Sequence, residues 1–66
     1  MRYVEFRVVI EAELKRNPAG LTWAELRDKL SLPYDRPCPT WVAKLEDEIN
    51  LTRTREGGRA FVWRVG

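Results

Sequence analysis

The chain of 66 residues contains no histidine and a single cysteine, Cys38. A structural zinc site needs several nitrogen or sulfur ligands, and a cysteine nucleophile needs a basic partner, so the residue count excludes both. One cysteine cannot form an internal disulfide, which fits a reducing compartment. We therefore expect a cytoplasmic protein in which Cys38 is a half-buried spectator, with redox sensing as the less favoured alternative.

Long apolar runs are also missing. No stretch approaches the roughly 18 apolar residues of a membrane span, and residues 1–7 mix charges with apolar side chains, unlike a secretory signal. The sequence lacks a glycine-rich phosphate loop before a helix and a carboxylate pair with a structural reason to be desolvated. We expect a protein that is not an enzyme, needs no cofactor or metal, and has no membrane partner.

Arginine is abundant, and it is concentrated at the C-terminal end. The net charge is only +2, but residues 51–66 contain four arginines and one acid, whereas residues 1–50 contain eight basic and nine acidic residues. The planar guanidinium group suits phosphates and base edges. The C-terminal segment is therefore a candidate for contact with nucleic acid.

The first helix is predicted over residues 3–16. Its apolar residues recur at helical spacing, and Asn17-Pro18 ends it, since the residue before a proline avoids the helical region. This stripe consists of Tyr3, Phe6, Ile10 and Leu14. Val4 and Val8 are interpreted as widening the buried face, and a small homodimer patch is the alternative.

A second helix, about residues 23–30, follows a capping box formed by Thr22 and Glu25. Leu21, just before it, can pack against the helix start or form a one-residue bridge to a C-terminal hairpin. Residues 31–38 are a connection rich in turn residues.

The third helix is predicted over residues 40–49. It begins either with Pro39 as its first residue and Cys38 as a poor cap, or with Thr40 as the cap. Val42, Leu45 and Ile49 face the core, and Asn50 is a suitable left-handed C-cap.

Two strands are predicted at about residues 51–65, around a Gly57-Gly58 turn. One register, with a two-residue loop, pairs Thr54 with Phe61. The other, with a longer loop, pairs Leu51 with Val65, Arg53 with Trp63 and Arg55 with Phe61. We favour the second, because it places Leu51 and Val65 on one buried face.

This order of elements resembles the winged helix-turn-helix DNA-binding superfamily. The specific part is residues 39–65, where a Val-x-x-Leu helix, a short break and the hydrophobic Leu51 precede an arginine-rich hairpin with glycines at its tip. The connection of about eight residues before the third helix is longer than the usual turn of three or four. The resemblance implies one α+β, mostly α, domain over residues 1–66, with three helices and a two-stranded wing.

The same resemblance implies that the third helix enters the major groove of double-stranded DNA, its N-terminal half nearest the bases. Glu46-Asp47-Glu48 would repel phosphates, so only that half of the helix can enter. The expected contacts are Arg36, Thr40 and Lys44 at the groove and Arg53, Arg55 and Arg59 in the wing. The structural alternatives are a solvated helix face and arginines stacked on Phe61 and Trp63.

The sequence therefore predicts a small double-stranded DNA-binding protein, a transcriptional regulator. The alternative is a protein–protein interaction module on the same scaffold, suggested by the low net charge and the acidic third helix. Tyr34 and Trp41 are the aromatic residues expected to be partly exposed, where they can stack on a base or anchor a protein partner.

Overall fold

Three helices and a small antiparallel sheet make up the part of the chain that this computed structural model describes, namely residues 1–55, 57 and 60–66. The elements are, in order, α1 (Tyr3–Arg16), β1 (Leu21–Thr22), α2 (Trp23–Leu30), α3 (Pro39–Glu48), β2 (Thr52–Arg55) and β3 (Phe61–Arg64). The architecture is α+β and mostly helical. None of these three helices has the length and apolar character needed to cross a membrane.

Helix α1 has the predicted bounds, and its stripe of Phe6, Ile10 and Leu14 is at most 1% exposed. The interpretation of Val4 and Val8 was wrong: they are 56% and 55% exposed. At about 100° per residue, both lie far around the helix from Phe6 and Ile10, so they cannot widen the same face.

Helix α2 also has the predicted bounds, and its capping box is confirmed. The Glu25 amide donates to the Thr22 hydroxyl at 3.3 Å, and the Thr22 amide donates to the Glu25 carboxylate at 2.9 Å. The helix ends at Ser31, which has a left-handed backbone, and Leu26 is its fully buried residue. The cap fixes where the chain leaves β1 and turns into α2.

Helix α3 begins at Pro39, with Cys38 as an N-cap that makes no side-chain hydrogen bond. The alternative of Thr40 as the cap was wrong, because proline already supplies a helical φ at the first position. Cys38 is exposed, not half-buried as expected, because it lies at a helix start that faces solvent. Asn50 as the C-cap was wrong: the cap is Ile49, whose amide donates the last helical hydrogen bond to the Leu45 carbonyl, although Asn50 has the predicted left-handed φ of 56°.

The β2–β3 hairpin has the favoured register. Arg53 pairs with Trp63 and Arg55 with Phe61. Leu51, just before β2, is buried, and Val65, just after β3, packs against the core. Gly57 has a φ of 68°, as a tight turn requires, whereas the predicted turn residue Gly58 lies outside the described residues.

A third strand corrects the predicted two-stranded sheet. The strand order is β1-β3-β2, and Leu21 pairs with Trp63 while Thr22 pairs with Val62. Of the two roles proposed for Leu21, the pairing with the hairpin is therefore confirmed, over two residues and not one. Gly20 permits this pairing, because a Cβ at that position would collide with Val62 Cγ1.

The core lies between the three helices and one face of the sheet. Trp63, on the central strand, is 1% exposed, and its ring centroid lies 5.4 Å from that of Trp23. No polar or charged residue is buried among those that the structure describes. The buried set is Phe6, Ile10, Leu14, Leu21, Leu26, Leu32, Val42, Leu45, Leu51 and Trp63. The fold therefore leaves one face of α3 and, near the hairpin turn, the described residues Gly57 and Ala60 outside its core.

Candidate nucleic-acid interface

The outer face of α3 carries two of the predicted contact residues. Thr40 and Lys44 are exposed, as their helical phase predicts, and so is Asp47. Because Pro39 is the first helical residue, Thr40 lies in the first turn, near the positive end of the helix dipole. An anion approaching this end would meet a hydroxyl and backbone amides that have no partner within the helix before it reached any acid of α3.

Lys44 lies at the edge of this face that points toward α1. Its Nζ is 5.0 Å from the centroid of the Tyr3 ring, close enough for a cation–π contact. Lys44 as a whole is nevertheless exposed. The Tyr3 ring therefore limits where the lysine side chain extends, without removing its charge from solvent.

An ion pair between α1 and α3 involves Glu48, one of the three acidic residues at the C-terminal end of α3. Arg7 Nη1 lies 2.6 Å from Glu48 Oε1, and the Tyr3 hydroxyl donates to the same oxygen at 3.2 Å. The hydrogen bond from Arg7 is the main reason that the pKa of Glu48 lies below its ordinary value. Burial, and then the hydrogen bond to Glu48, raise the pKa of Tyr3. Glu48 is thus held as a carboxylate beside a guanidinium.

A second ion pair connects α3 to the hairpin. Arg53 Nε lies 3.8 Å from Glu46 Oε2, which is too long for a hydrogen bond, and this buried nitrogen has no hydrogen-bond partner. The Arg53 guanidinium carbon lies 5.1 Å from the Phe61 ring centroid and 5.7 Å from that of Trp63. Arg53 is therefore held by two rings and one carboxylate, which makes it part of the hairpin's attachment to α3.

The acidic end of α3 is consequently less repulsive to phosphate than its sequence suggests. Negative charge in the last turn opposes the helix dipole, and no basic residue of α3 lies there. Arg7 and Arg53 supply the opposing charge from other elements. Within the described part of the chain, Asp47 makes neither an ion pair nor a hydrogen bond.

Arg55 lies farther toward the tip of the hairpin. Its guanidinium carbon is 4.9 Å from the Phe61 ring centroid, and Phe61 is itself 39% exposed. Both residues are therefore accessible to a partner, in contrast to Arg53. The other predicted tip residue, Arg59, lies outside the described residues.

The hairpin arginines do not share one face. Arg53 and Arg55 lie on the face of Phe61 and Trp63, because directly opposed residues of an antiparallel pair point the same way. Arg64 lies on the other face, where its Nη1 donates to the Thr54 hydroxyl at 3.0 Å. Because successive side chains of a strand point to opposite faces of the sheet, this division of the arginines between two faces can be predicted from the sequence.

Arg36 lies on a different part of the chain from the hairpin arginines, between α2 and α3. It is exposed in the connection before α3, where it lines a pocket together with aromatic residues including Trp41. Sequence reasoning missed the Tyr3–Arg7–Glu48 cluster, whose members are up to 45 residues apart. No local pattern can join them, since the contact depends on how α1 packs against α3.

No cluster of three or more potential metal-ligating side chains is found among the described residues. Comparisons of the chain with models of protein families, with curated proteins and with solved structures gave no match. The functional argument therefore depends on the geometry of α3 and the hairpin.

Proposed function

We propose that this chain is a small double-stranded DNA-binding protein of the winged helix-turn-helix kind, acting as a transcriptional regulator. It contacts DNA through the outer face of α3 and through the β2–β3 hairpin. The observation that carries the proposal is the pairing of Glu46 with Arg53 and of Glu48 with Arg7. Without these pairs, the acids of α3 would repel the phosphates that its basic residues attract.

Helix α3 approaches DNA by its N-terminal half. The first turn combines free backbone amides, the positive dipole end and the Thr40 hydroxyl, all of which favour a phosphate. Lys44, one turn later, reaches a second phosphate or a guanine edge. Arg36 extends the positive potential from the connection before the helix.

The hairpin supplies the flanking contacts. Arg55, exposed above Phe61, is the best-placed described arginine for a backbone phosphate. Arg53 contributes charge, but it acts mainly by fixing the hairpin to α3 through Glu46 and Trp63. Arg59 is retained as a wing contact on the sequence prediction alone.

A protein–protein interaction module is the second candidate function. The exposed Phe61 favours it, as does Asp47, which has no partner among the described residues, because an aromatic anchor beside charged residues is typical of a protein interface. In that case Arg55 would pair with an acid of the partner.

Fluorescence anisotropy with a labelled random duplex, titrated at several salt concentrations, tests the DNA proposal. If about five phosphates are neutralised, the slope of log K against log salt is near −4 to −5. Arg55→Ala should weaken binding and reduce the magnitude of the slope by about one. Lys29→Ala, which removes an exposed cation of α2 outside the interface, is the matched control and should leave the slope unchanged.

Asp47→Asn tests which face of α3 meets the DNA. Removing this negative charge should tighten binding at low salt, whereas Asp28→Asn, on an exposed position of α2, should not. Absence of binding at low salt, or equal effects of the two aspartate variants, would refute the proposed interface. A specific protein partner combined with weak binding to DNA would favour the second function.

A further inference from the structure

An aromatic pocket lies where the starts of α1, α2 and α3 meet the connection between α2 and α3. Its volume is about 350 Å³, and four aromatic side chains form its walls: Phe6, Trp23, Tyr34 and Trp41. Ligand pockets in proteins usually measure about 300–1,000 Å³ and are mostly apolar. The cavity is therefore of a size that accommodates a molecule of one or two rings.

The walls are fixed by contacts among the rings. Phe6 is fully buried and lies 4.9 Å from Trp41, measured between ring centroids, and Tyr34 meets Trp41 nearly edge-on at 6.0 Å. Trp23 Nε1 donates to the backbone carbonyl of Asp35 at 3.0 Å, which ties the connection to α2. Because Trp23, Tyr34 and Trp41 are only half-buried, ring surface is left for a ligand to stack on.

The charge of the residues that line the pocket indicates the sign of the ligand's charge. Arg36 is the one charged side chain among the described lining residues, and no carboxylate accompanies it. Within the described part of the chain, its guanidinium makes no ion pair or hydrogen bond. An aromatic cage for a cation would place no unpaired guanidinium at its wall, whereas a site for an anion would.

We propose that this aromatic pocket binds a planar aromatic molecule that carries an anionic group. The ring system stacks among Trp23, Tyr34 and Trp41, and the carboxylate or phosphate pairs with Arg36. The Tyr34 hydroxyl, which makes no hydrogen bond within the described part of the chain, adds a donor. This binding needs no DNA, so its test is separate from that of the proposed function.

Two-dimensional ¹H–¹⁵N NMR titration of the intact chain, without DNA, provides the test. The probe 2-naphthoate should shift the indole signals of Trp23 and Trp41 and the amides of residues 34–41. The uncharged 2-naphthamide, with the same rings, should bind at least about fivefold more weakly, since it loses the charge-assisted contact. Shifts confined to other residues, or equal affinity for the two probes, would overturn the proposal.

Arg36→Gln separates the anion contact from stacking. It should weaken 2-naphthoate binding at least about fivefold and leave 2-naphthamide unchanged, and because Arg36 is exposed the fold should persist. Lys29→Gln, which removes an exposed cation outside the pocket, should alter neither affinity. Unchanged 2-naphthoate binding by Arg36→Gln would refute the role of the guanidinium.

Two further probes define the ligand class. Adenosine 5′-monophosphate binding that depends on Arg36 would support the proposal and place nucleotides within the class. If adenosine 5′-monophosphate does not bind but 2-naphthoate does, the proposal is also supported, and the ligand class is limited to aromatic carboxylic acids. Binding of tetramethylammonium at the same indoles, without 2-naphthoate binding, would show a cation cage and overturn the proposal.

Discussion

Gly20→Ala tests the contact between β1 and β3 most directly. Gly20 has a φ of 98°, which L side chains rarely adopt. A Cβ there would collide with Val62 Cγ1 and would lie 3.1 Å from the backbone oxygen of Trp63. The side chain of Val62 can move, but the Trp63 carbonyl belongs to the central strand and cannot do so without disturbing the sheet.

The expected loss follows from two separate costs. A left-handed backbone costs an alanine about 1–2 kcal/mol, and overpacking of this kind costs about 1–3 kcal/mol. Gly20→Ala should therefore lower the free energy of unfolding by about 2–5 kcal/mol. A chain of this length has a total stability of only about 3–10 kcal/mol, so the midpoint of thermal unfolding should fall by more than about 8 °C.

Gly57→Ala is the matched control. Its φ is 68°, but apart from its two chain neighbours no described residue has an atom within 4 Å of the added Cβ, so we expect only the backbone cost. Urea denaturation followed by circular dichroism should rank Gly20→Ala below Gly57→Ala by at least about 1 kcal/mol. In the Gly20→Ala background, Val62→Ala should recover part of the loss. Equal losses for the two glycine variants would refute the close approach of β1 to β3.

Two further predictions concern the ion pairs of α3. Because the folded pKa of Glu48 is depressed below its ordinary value of 4.5, its contribution to stability is present above about pH 4.5 and is lost as the pH falls through the folded pKa. Urea denaturation at a series of pH values should therefore show that Glu48→Gln is less stable than the unsubstituted protein near pH 7. The difference in stability should vanish in acid. A difference that does not change with pH would contradict the pairing with Arg7. Arg53 contacts two rings and Arg55 contacts one. Arg53→Ala should therefore lower the free energy of unfolding by about 0.5–1 kcal/mol more than Arg55→Ala does. The opposite order in urea denaturation would show that Arg53 does not hold the hairpin.

The helices could be predicted because their signals are local. The spacing of Phe6, Ile10 and Leu14, the capping box at Thr22 and the proline at position 39 each act within a few residues. The favoured hairpin register was also correct, since it depends on which strand residues must share the buried face.

The predictions that failed mostly concern contacts between residues that are distant in sequence. Strand β1 has only two residues, too few for a periodic pattern, and exists because Gly20 lets the chain approach β3. The acids of α3 looked unpaired because Arg7 and Arg53, their partners, lie on other elements. Val4 and Val8 were misplaced by neglect of their helical angle, an error that a helical projection of the sequence could have avoided.

The strand order has a consequence for how the protein folds. The central strand, β3, follows all three helices in the chain, and its partner β1 precedes it by about forty residues. Closing so long a loop before any contact stabilises it slows folding, so we expect β1 to join the β2–β3 hairpin only after the helices have formed. During translation, the surfaces of α1 and α2 that Trp63 covers remain exposed to water until residues 61–64 have left the ribosome.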